Sequence, residues 1–272
     1  MKKYPTIMSI AGSDCSGGAG IQADLKTISA LGAYAATAIT AITVQNTTGV
    51  RAIHPVPPVF VRGQIEAVMD DIRPDAIKIG MINDIEIVKV ISACLHKYRP
   101  AYVIFDPVMV STSGHKLIED DAIAALTDDL MPLTSLITPN LREAEVLTDH
   151  PINNVEEMKS AALELLKFGC KAVLLKGGHL EGGLMCDVLQ IAGESTPHLF
   201  TSTKIESPNT HGTGCTLSSA IASNLAKGRS LETSVQYAKN YISGALAAML
   251  DLGKGSGPMN HAFAIEGEYT NE

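Results

Sequence analysis

Short apolar runs alternate with segments whose apolar side chains recur every three or four positions, almost from one end of the chain to the other. Residues 6–11, 37–44, 76–79, 102–105, 135–138 and 172–176 have the apolar, β-branched character of strands. Between them, Ile21, Leu25 and Ile28 share one helical face, as do Val61, Ile65, Val68 and Ile72, and again Val155, Met158, Ala162 and Leu165. Each helix has one apolar stripe to lay on a sheet. This alternation predicts an α/β fold of three layers, a mostly parallel central sheet with helices on both faces. The prolines at 55, 57 and 58 read as a loop entering a helix, and no repeat, low-complexity tract or charged linker divides the chain. Residues 1–272 are expected to form one domain.

Composition removes several function classes. Apolar residues are 46% of the chain, enough for a large core without staples. The net charge of −8 gives no basic field for a nucleic-acid backbone or an acidic membrane, so neither is expected as a partner. With no tryptophan and 4% aromatics there is no stacking platform for single strands. Five scattered cysteines without a CxxC pair suggest neither disulfides nor zinc, and a reducing cytoplasmic setting is the simpler reading. Lys2 and Lys3 imitate the start of a signal peptide, but the apolar run at 6–11 is too short. The apolar stretch 33–44 is broken by three threonines and falls short of a membrane span.

In open α/β sheets, ligands bind beyond the carboxyl ends of the strands. Residues 11–20, Ala-Gly-Ser-Asp-Cys-Ser-Gly-Gly-Ala-Gly, occupy such a place, and Gly18, Gly20 and Ala23 satisfy GxGxxA. A dinucleotide site also needs an acidic residue about twenty positions on, yet no Asp or Glu stands between Asp24 and Glu66. A P-loop fails too, because neither Lys26-Thr27 nor Lys159-Ser160 follows a glycine. A ligand loop and a plain tight turn remain equally open. Residues 209–216, Asn-Thr-His-Gly-Thr-Gly-Cys-Thr, lead into an apolar helical stretch through Leu217, Ala220, Ile221 and Leu225. Free N–H groups at a helix start, with Gly212 and Gly214 admitting close approach, suit charge developing on a transferred group. Cys215 lies in that first turn, where the helix dipole can draw a thiol from about 8.5 toward about 7 or below and ready it to take a hydroxyl proton. The plainer alternative is a small buried hydrophobe.

Other strand ends carry weaker signals. Asp106 fits a magnesium ligand or an Asx turn before Pro107. Asn140 and Glu143 have the spacing of a capping box, the stronger local reading. Lys176, opening Lys-Gly-Gly-His, could face a phosphate or simply water, and Lys239 in a late helix reads as surface. The histidines have no metal spacing, and Met69 and Met81 read as core.

Taken in order, these segments resemble the ribokinase-like superfamily, specifically its hydroxymethylpyrimidine and phosphomethylpyrimidine kinases of thiamin biosynthesis. The likeness runs through nearly the whole chain: residues 11–14 and 16–26, Gln45-Asn46-Thr47, Lys78-Ile79-Gly80-Met81, Asp106-Pro107-Val108-Met109, Thr138-Pro139-Asn140 with Glu143-Ala144-Glu145, Lys176-Gly177-Gly178-His179, and 209–217. It implies that Gln45 reads an aminopyrimidine edge, helped by Gly12 and Ala19, with Asp24, Met81 and Val108 near the ring. Gly212 and Gly214 would form the anion hole, and Cys215 takes the place of the usual aspartate base. Asn140 and Glu143 would position magnesium and phosphate, overriding the mere cap, and Asp106, Lys176, Thr213 and Lys239 would serve on the ATP and metal side. The resemblance implies ATP and Mg2+ as cofactors, leaves a monovalent cation open, and carries the expectation of a homodimer. Cys15 departs from the proline usual at that place. The rivals are a pyridoxal-type kinase on the same fold, a regulatory protein that only binds, and, more distantly, a nicotinamide-dependent oxidoreductase.

Overall fold

The computed structural model describes residues 4–82, 84–109, 120–178 and 184–266, with the side chains of residues 120, 121 and 184 left aside. His179 of the Lys-Gly-Gly-His motif lies outside them. The chain runs β1 (Thr6–Asp14), α1 (Gly20–Ala30), β2 (Tyr34–Asn46), β3 (Gly49–Pro55), α2 (Pro58–Asp71), β4 (Ala76–Ile79), α3 (Ile85–Tyr98) and β5 (Tyr102–Phe105). It continues through α4 (Asp120–Ala125), β6 (Leu136–Ile137), α5 (Leu141–Thr148), α6 (Val155–Leu165), β7 (Ala172–Leu175), β8 (Leu184–Ile191), β9 (His198–Thr203), α7 (Thr213–Ala226) and α8 (Leu231–Ala247). The strands form one sheet in the order β3-β2-β1-β4-β5-β6-β7-β8-β9. Pairings from β2 through β7 are parallel, and β3, β8 and β9 add antiparallel edges.

Alternation along each strand sorts the core into two layers. Met8, Ile10, Ile77, Ile79, Val103 and Phe105 face the side covered by α2, α3, α5 and α6, while Ile7, Ala76, Ile104 and Leu174 face α1, α7 and α8. The three-layer expectation is met, and all three helical stripes face the sheet, with Ile72 at the exposed end of its row.

Three strands escaped the pattern for physical reasons. All seven residues of β3 are exposed, so no core face marks it, and its closing Pro55 belongs to the strand rather than to a loop. Pro58 then opens α2, where a missing N–H costs nothing. In β8 the apolar run is interrupted by Asp187 and Gln190, both of them buried. β9 is a half-exposed edge. Among the described residues no helix is long and apolar enough to cross a membrane.

Where Ser9 and Lys78 replace apolar residues on the α1–α7 side, a polar seam enters the core. Asp24 of α1 accepts from Ser9 Oγ at 2.5 Å and Lys78 Nζ at 2.9 Å through Oδ2, and from Ser219 Oγ of α7 at 2.7 Å through Oδ1. Both charged side chains are fully buried. Burial works against the ammonium, but Asp24, reinforced by Cys215 and Asp106, holds the Lys78 pKa above the ordinary lysine value. A buried pair loses most when one partner is removed, because the other charge stays behind unpaired. Lys78→Met is therefore expected to lower stability by about 3–5 kcal/mol in urea unfolding, and Lys78→Met with Asp24→Leu to recover much of that. A loss below about 1 kcal/mol in the single variant would show that the pair does not carry this seam.

Candidate active site

Both glycine loops lie at the carboxyl ends of the parallel strands. The first turns out of β1 at Asp14, whose carboxylate gathers the loop around itself. Asp14 Oδ1 accepts from the Ser16 N–H at 2.9 Å and hydroxyl at 2.7 Å, and Oδ2 from the N–H groups of Gly18 at 3.1 Å and Ala19 at 2.8 Å. His211 of the second loop adds its ring nitrogen Nε2 at 2.8 Å from the same Oδ2. The loops also touch backbone to backbone: a side chain at Gly212, where φ is +82°, would run into the Gly18 carbonyl oxygen, and one at Gly18 would strike the His211 ring. Glycine is required at both by this contact.

Gln45, one residue before the end of β2, lies beside this junction, its side-chain amide 2.9 Å from His211 Nε2. Its backbone is clasped by Cys15, whose thiol donates to the Gln45 carbonyl at 3.1 Å and accepts from its N–H at 3.4 Å. That gives Cys15 a role in holding the end of β2. Gly12 and Met81 meet here as well, the Met81 methyl lying 3.3 Å from where a Gly12 side chain would begin. Met81 is half-buried, so it is not simple core filler. Val108, also half-buried, follows Asp106 on the neighbouring strand end.

The second half of the site surrounds the start of α7. Asp106 Oδ1 accepts from Lys176 Nζ at 2.7 Å and Thr138 Oγ1 at 2.9 Å, and its Oδ2 stands 2.9 Å from where a Gly214 side chain would begin. The N-terminus of α7, with Thr213, Gly214 and Cys215 in its first turn, therefore opens onto the Asp106–Lys176 pair. Asn140 and Glu143 do form the capping box: Asn140 Oδ1 accepts from the Glu143 N–H at 3.0 Å and Glu143 Oε2 from the Asn140 N–H at 2.7 Å. The cap and the charge cluster are one structure, because Glu143 is also buried beside Lys176 and Asp106. Burial above all pushes its carboxyl up to about 7, with Lys176 opposing and Asp106 reinforcing.

Three expectations change. Asp24 does not line the loop; its carboxylate is committed within the buried seam beneath it. Lys239 is neither surface nor free to meet a phosphate: it is buried, 2.5 Å from Asp187 Oδ2, and Asp187 Oδ1 accepts the Gly177 N–H at 2.9 Å. Lys239 thereby holds the turn after Lys176. The Cys215 thiol is pushed up rather than down, because burial, with Asp24 and Asp106 nearby, outweighs Lys78 and the backbone N–H of Gly20. Sequence reasoning missed Asp14, His211, Lys78 and Asp187 as organising residues. Asp14, Lys78 and His211 stood inside the motifs that carry the resemblance, and Asp187 was signalled only by an acid in an apolar run.

Joined glycine loops at the ends of a mostly parallel sheet, with a helix N-terminus aimed at a lysine–carboxylate cluster, define a ribokinase-like small-molecule kinase. Residues 14–260 match the family described as phosphomethylpyrimidine kinase, and the chain belongs to that family. It is 46% identical over 261 residues to the hydroxymethylpyrimidine/phosphomethylpyrimidine kinase of Escherichia coli, covering 94% of this chain and 97% of that one. It is 48% identical to a thiamine biosynthesis bifunctional protein of Geobacter sulfurreducens, covering 96% of this chain but only 53%, about half, of that longer relative. Among solved structures, Bacillus subtilis pyridoxal kinase in complex with ADP superposes with a TM-score of 0.90 at 33% identity, covering 97% of this chain and 100% of that one.

The position of Glu143 has a measurable consequence for stability. A carboxyl whose folded pKa is about 7 against an ordinary 4.5 favours folding most while protonated. That contribution is full below about pH 4.5 and is lost as pH rises through about 7. The ligand-free protein should lose stability between those limits, and Glu143→Gln should flatten that part of the profile of unfolding free energy against pH. Identical slopes in the two proteins would count against the buried, proton-holding carboxyl.

Proposed function

We propose that this chain transfers the γ-phosphoryl group of ATP to 4-amino-5-hydroxymethyl-2-methylpyrimidine, to its monophosphate, or to both in turn, within thiamin biosynthesis. The observation that carries the reading is the contact between the two glycine loops, which puts Gln45 and the first turn of α7 at one set of strand ends. A pyrimidine held by Gln45, with Gly12, Ala19, Met81 and Val108 around it, presents its hydroxymethyl group toward Cys215. The acceptor oxygen, the hydroxyl of the free alcohol or a phosphate oxygen of the monophosphate, forms the new bond to the γ-phosphorus, the bond to the β-phosphate oxygen breaks, and ADP leaves. Cys215 takes the hydroxyl proton, while the N–H groups around Gly212, Thr213 and Gly214 and the Lys176 ammonium meet the charge on the moving group. Asp106 and Glu143 fit magnesium: two carboxylates short of a full cage suit an ion that keeps waters and phosphate oxygens. Bound there with Asn140 anchoring the loop, the ion would neutralise β- and γ-phosphate charge. Higher identity to the pyrimidine kinases than to the pyridoxal kinase favours the pyrimidine as substrate.

The test is ATP-dependent phosphorylation of the free pyrimidine and its monophosphate, with pyridoxine alongside and magnesium omitted as control. Turnover of pyridoxine alone would overturn the substrate assignment. Cys215→Ala should reduce kcat by roughly a hundred- to ten-thousand-fold with little change in the KM for ATP. Because its thiol is raised, a Cys215 base stays protonated at neutral pH, so wild-type kcat should climb on going alkaline and the variant should lose that climb. Near-normal turnover in the variant would sink the role.

A single-domain cytoplasmic homodimer completes the reading. Ile42 and Val44 of β2 and Val50 and Ile53 of β3 are 41–54% exposed on the outermost antiparallel pair, with Ile42 and Val44 on one face and Ile53, opposite Thr43, on the other, a sheet edge apolar on both faces that a second copy would wrap. Light scattering should give a dimer mass that Val50→Glu with Ile53→Glu reduces to a monomer; a monomeric wild type would overturn it.

A further inference from the structure

Two side chains converge on one imidazole nitrogen. His211 Nε2 stands 2.8 Å from Asp14 Oδ2 and 2.9 Å from the Gln45 side-chain amide. A single ring nitrogen either donates or accepts, never both. Asp14 decides which. Burial raises its pKa, but hydrogen bonds from His211, from the Ser16 hydroxyl and N–H, and from the Ala19 N–H hold it well below the usual carboxylate range, so Asp14 is ionised and only accepts. Nε2 therefore carries a proton. The –NH2 end of Gln45 at 2.9 Å would set donor against donor, whereas a half-turn of the amide places the isosteric Oε1 there to share the proton. The rest of Gln45 is not free to move away. Cys15 brackets its backbone, and the β2–β3 pairing is irregular between Val44 and Gln45, which re-aims the residue out of the regular ladder.

We infer that His211 is a positioning residue that fixes the Gln45 amide with its oxygen toward the imidazole. Gln45 then meets the substrate with its –NH2 as donor to a ring-nitrogen lone pair, and with the second lone pair of Oε1 as acceptor for an adjacent exocyclic amine. This rests on the reading above in placing Gln45 against the substrate ring. The heterocycle selected has an unprotonated ring nitrogen next to an amino group. A ring with a hydroxyl or a hydrogen in place of that amine leaves Oε1 without its donor, and such a missing partner is strongly rejected.

Nitrogen-15 NMR of the imidazoles in ligand-free protein, with the His211 signal assigned by its loss in His211→Gln, tests the tautomer without any substrate. Protonated Nε2 is expected, and an Nε2 that bears no proton would overturn the inference. Kinetics then compare the aminopyrimidine alcohol with its analogue lacking the 4-amino group. In His211→Phe, the preference for the amino compound should fall by about tenfold or more with the KM for ATP unchanged, and His211→Gln, which retains a donor, should restore part of it. An equal loss on both compounds, leaving the preference intact, would reduce His211 to a packing role and overturn the inference. If His211→Phe does not fold, His211→Gln and the wild-type tautomer decide. Absence of pyrimidine turnover in the wild type would sink the kinase reading alone, and the tautomer would still judge His211.

Discussion

One carboxylate, Asp14, ties the site together. Glycine loops are costly to order, because glycine surrenders more backbone freedom on folding than any other residue. Asp14 offsets that cost by collecting N–H groups from Ser16, Gly18 and Ala19, so the loop after β1 has a fixed inner surface. His211 brings the second loop to the same oxygen, and the Gly18–Gly212 contact sets the distance between them. The proposed substrate side, at Gln45, and the loop leading into α7, at His211, belong to segments 166 residues apart in sequence. Their spacing is set through this one anion and not through the sheet alone.

Electrostatics explains how an acidic chain can host a polyphosphate. With a net charge of −8 the protein offers no general attraction, so positive groups must be local. Lysines are brought inside, each committed to a carboxylate: Lys78 to Asp24 beneath the site, Lys176 to Asp106 within it, and Lys239 to Asp187 behind the turn that follows Lys176. A buried ammonium is tolerable only when paired. The same burial raises Cys215 and Glu143, so two groups that proton and metal chemistry would use ionised sit with their pKa values displaced toward the neutral form.

How much of this was legible depended on the range of the interaction. The parallel core was readable because Ile7, Met8, Ile77, Ile79, Val103 and Ile104 announce strands through their own side chains. β3 was not, since a fully exposed edge strand has no apolar face to show, and β8 was hidden by Asp187, an acid that makes sense only beside Lys239. The glycine positions and Cys215 were visible as motifs, and the Asn140–Glu143 box was visible as a cap. What sequence could not supply was partnership. Asp24 looked like a ring neighbour and Lys239 like surface, because their partners Lys78 and Asp187 stand 54 and 52 residues away. The direction of the Cys215 shift was misjudged for the same reason: the helix start is local, whereas the burial that outweighs it comes from the whole fold.

A pyridoxal kinase superposes closely on this chain, so the overall fold does not by itself identify the acceptor ring. The phosphate end proposed for this chain is built from backbone N–H groups and a lysine–carboxylate cluster, which would recognise charge and carry no information about the acceptor ring. The acceptor end rests on one amide, and an amide is ambiguous, since its two ends have the same shape and opposite hydrogen-bonding character. A side chain of that kind gives selectivity only if a neighbour removes the ambiguity. His211 can do so because its own proton is settled by Asp14, the carboxylate that joins the loops. The choice of ring thus traces back to the ionised group that also joins the two loops.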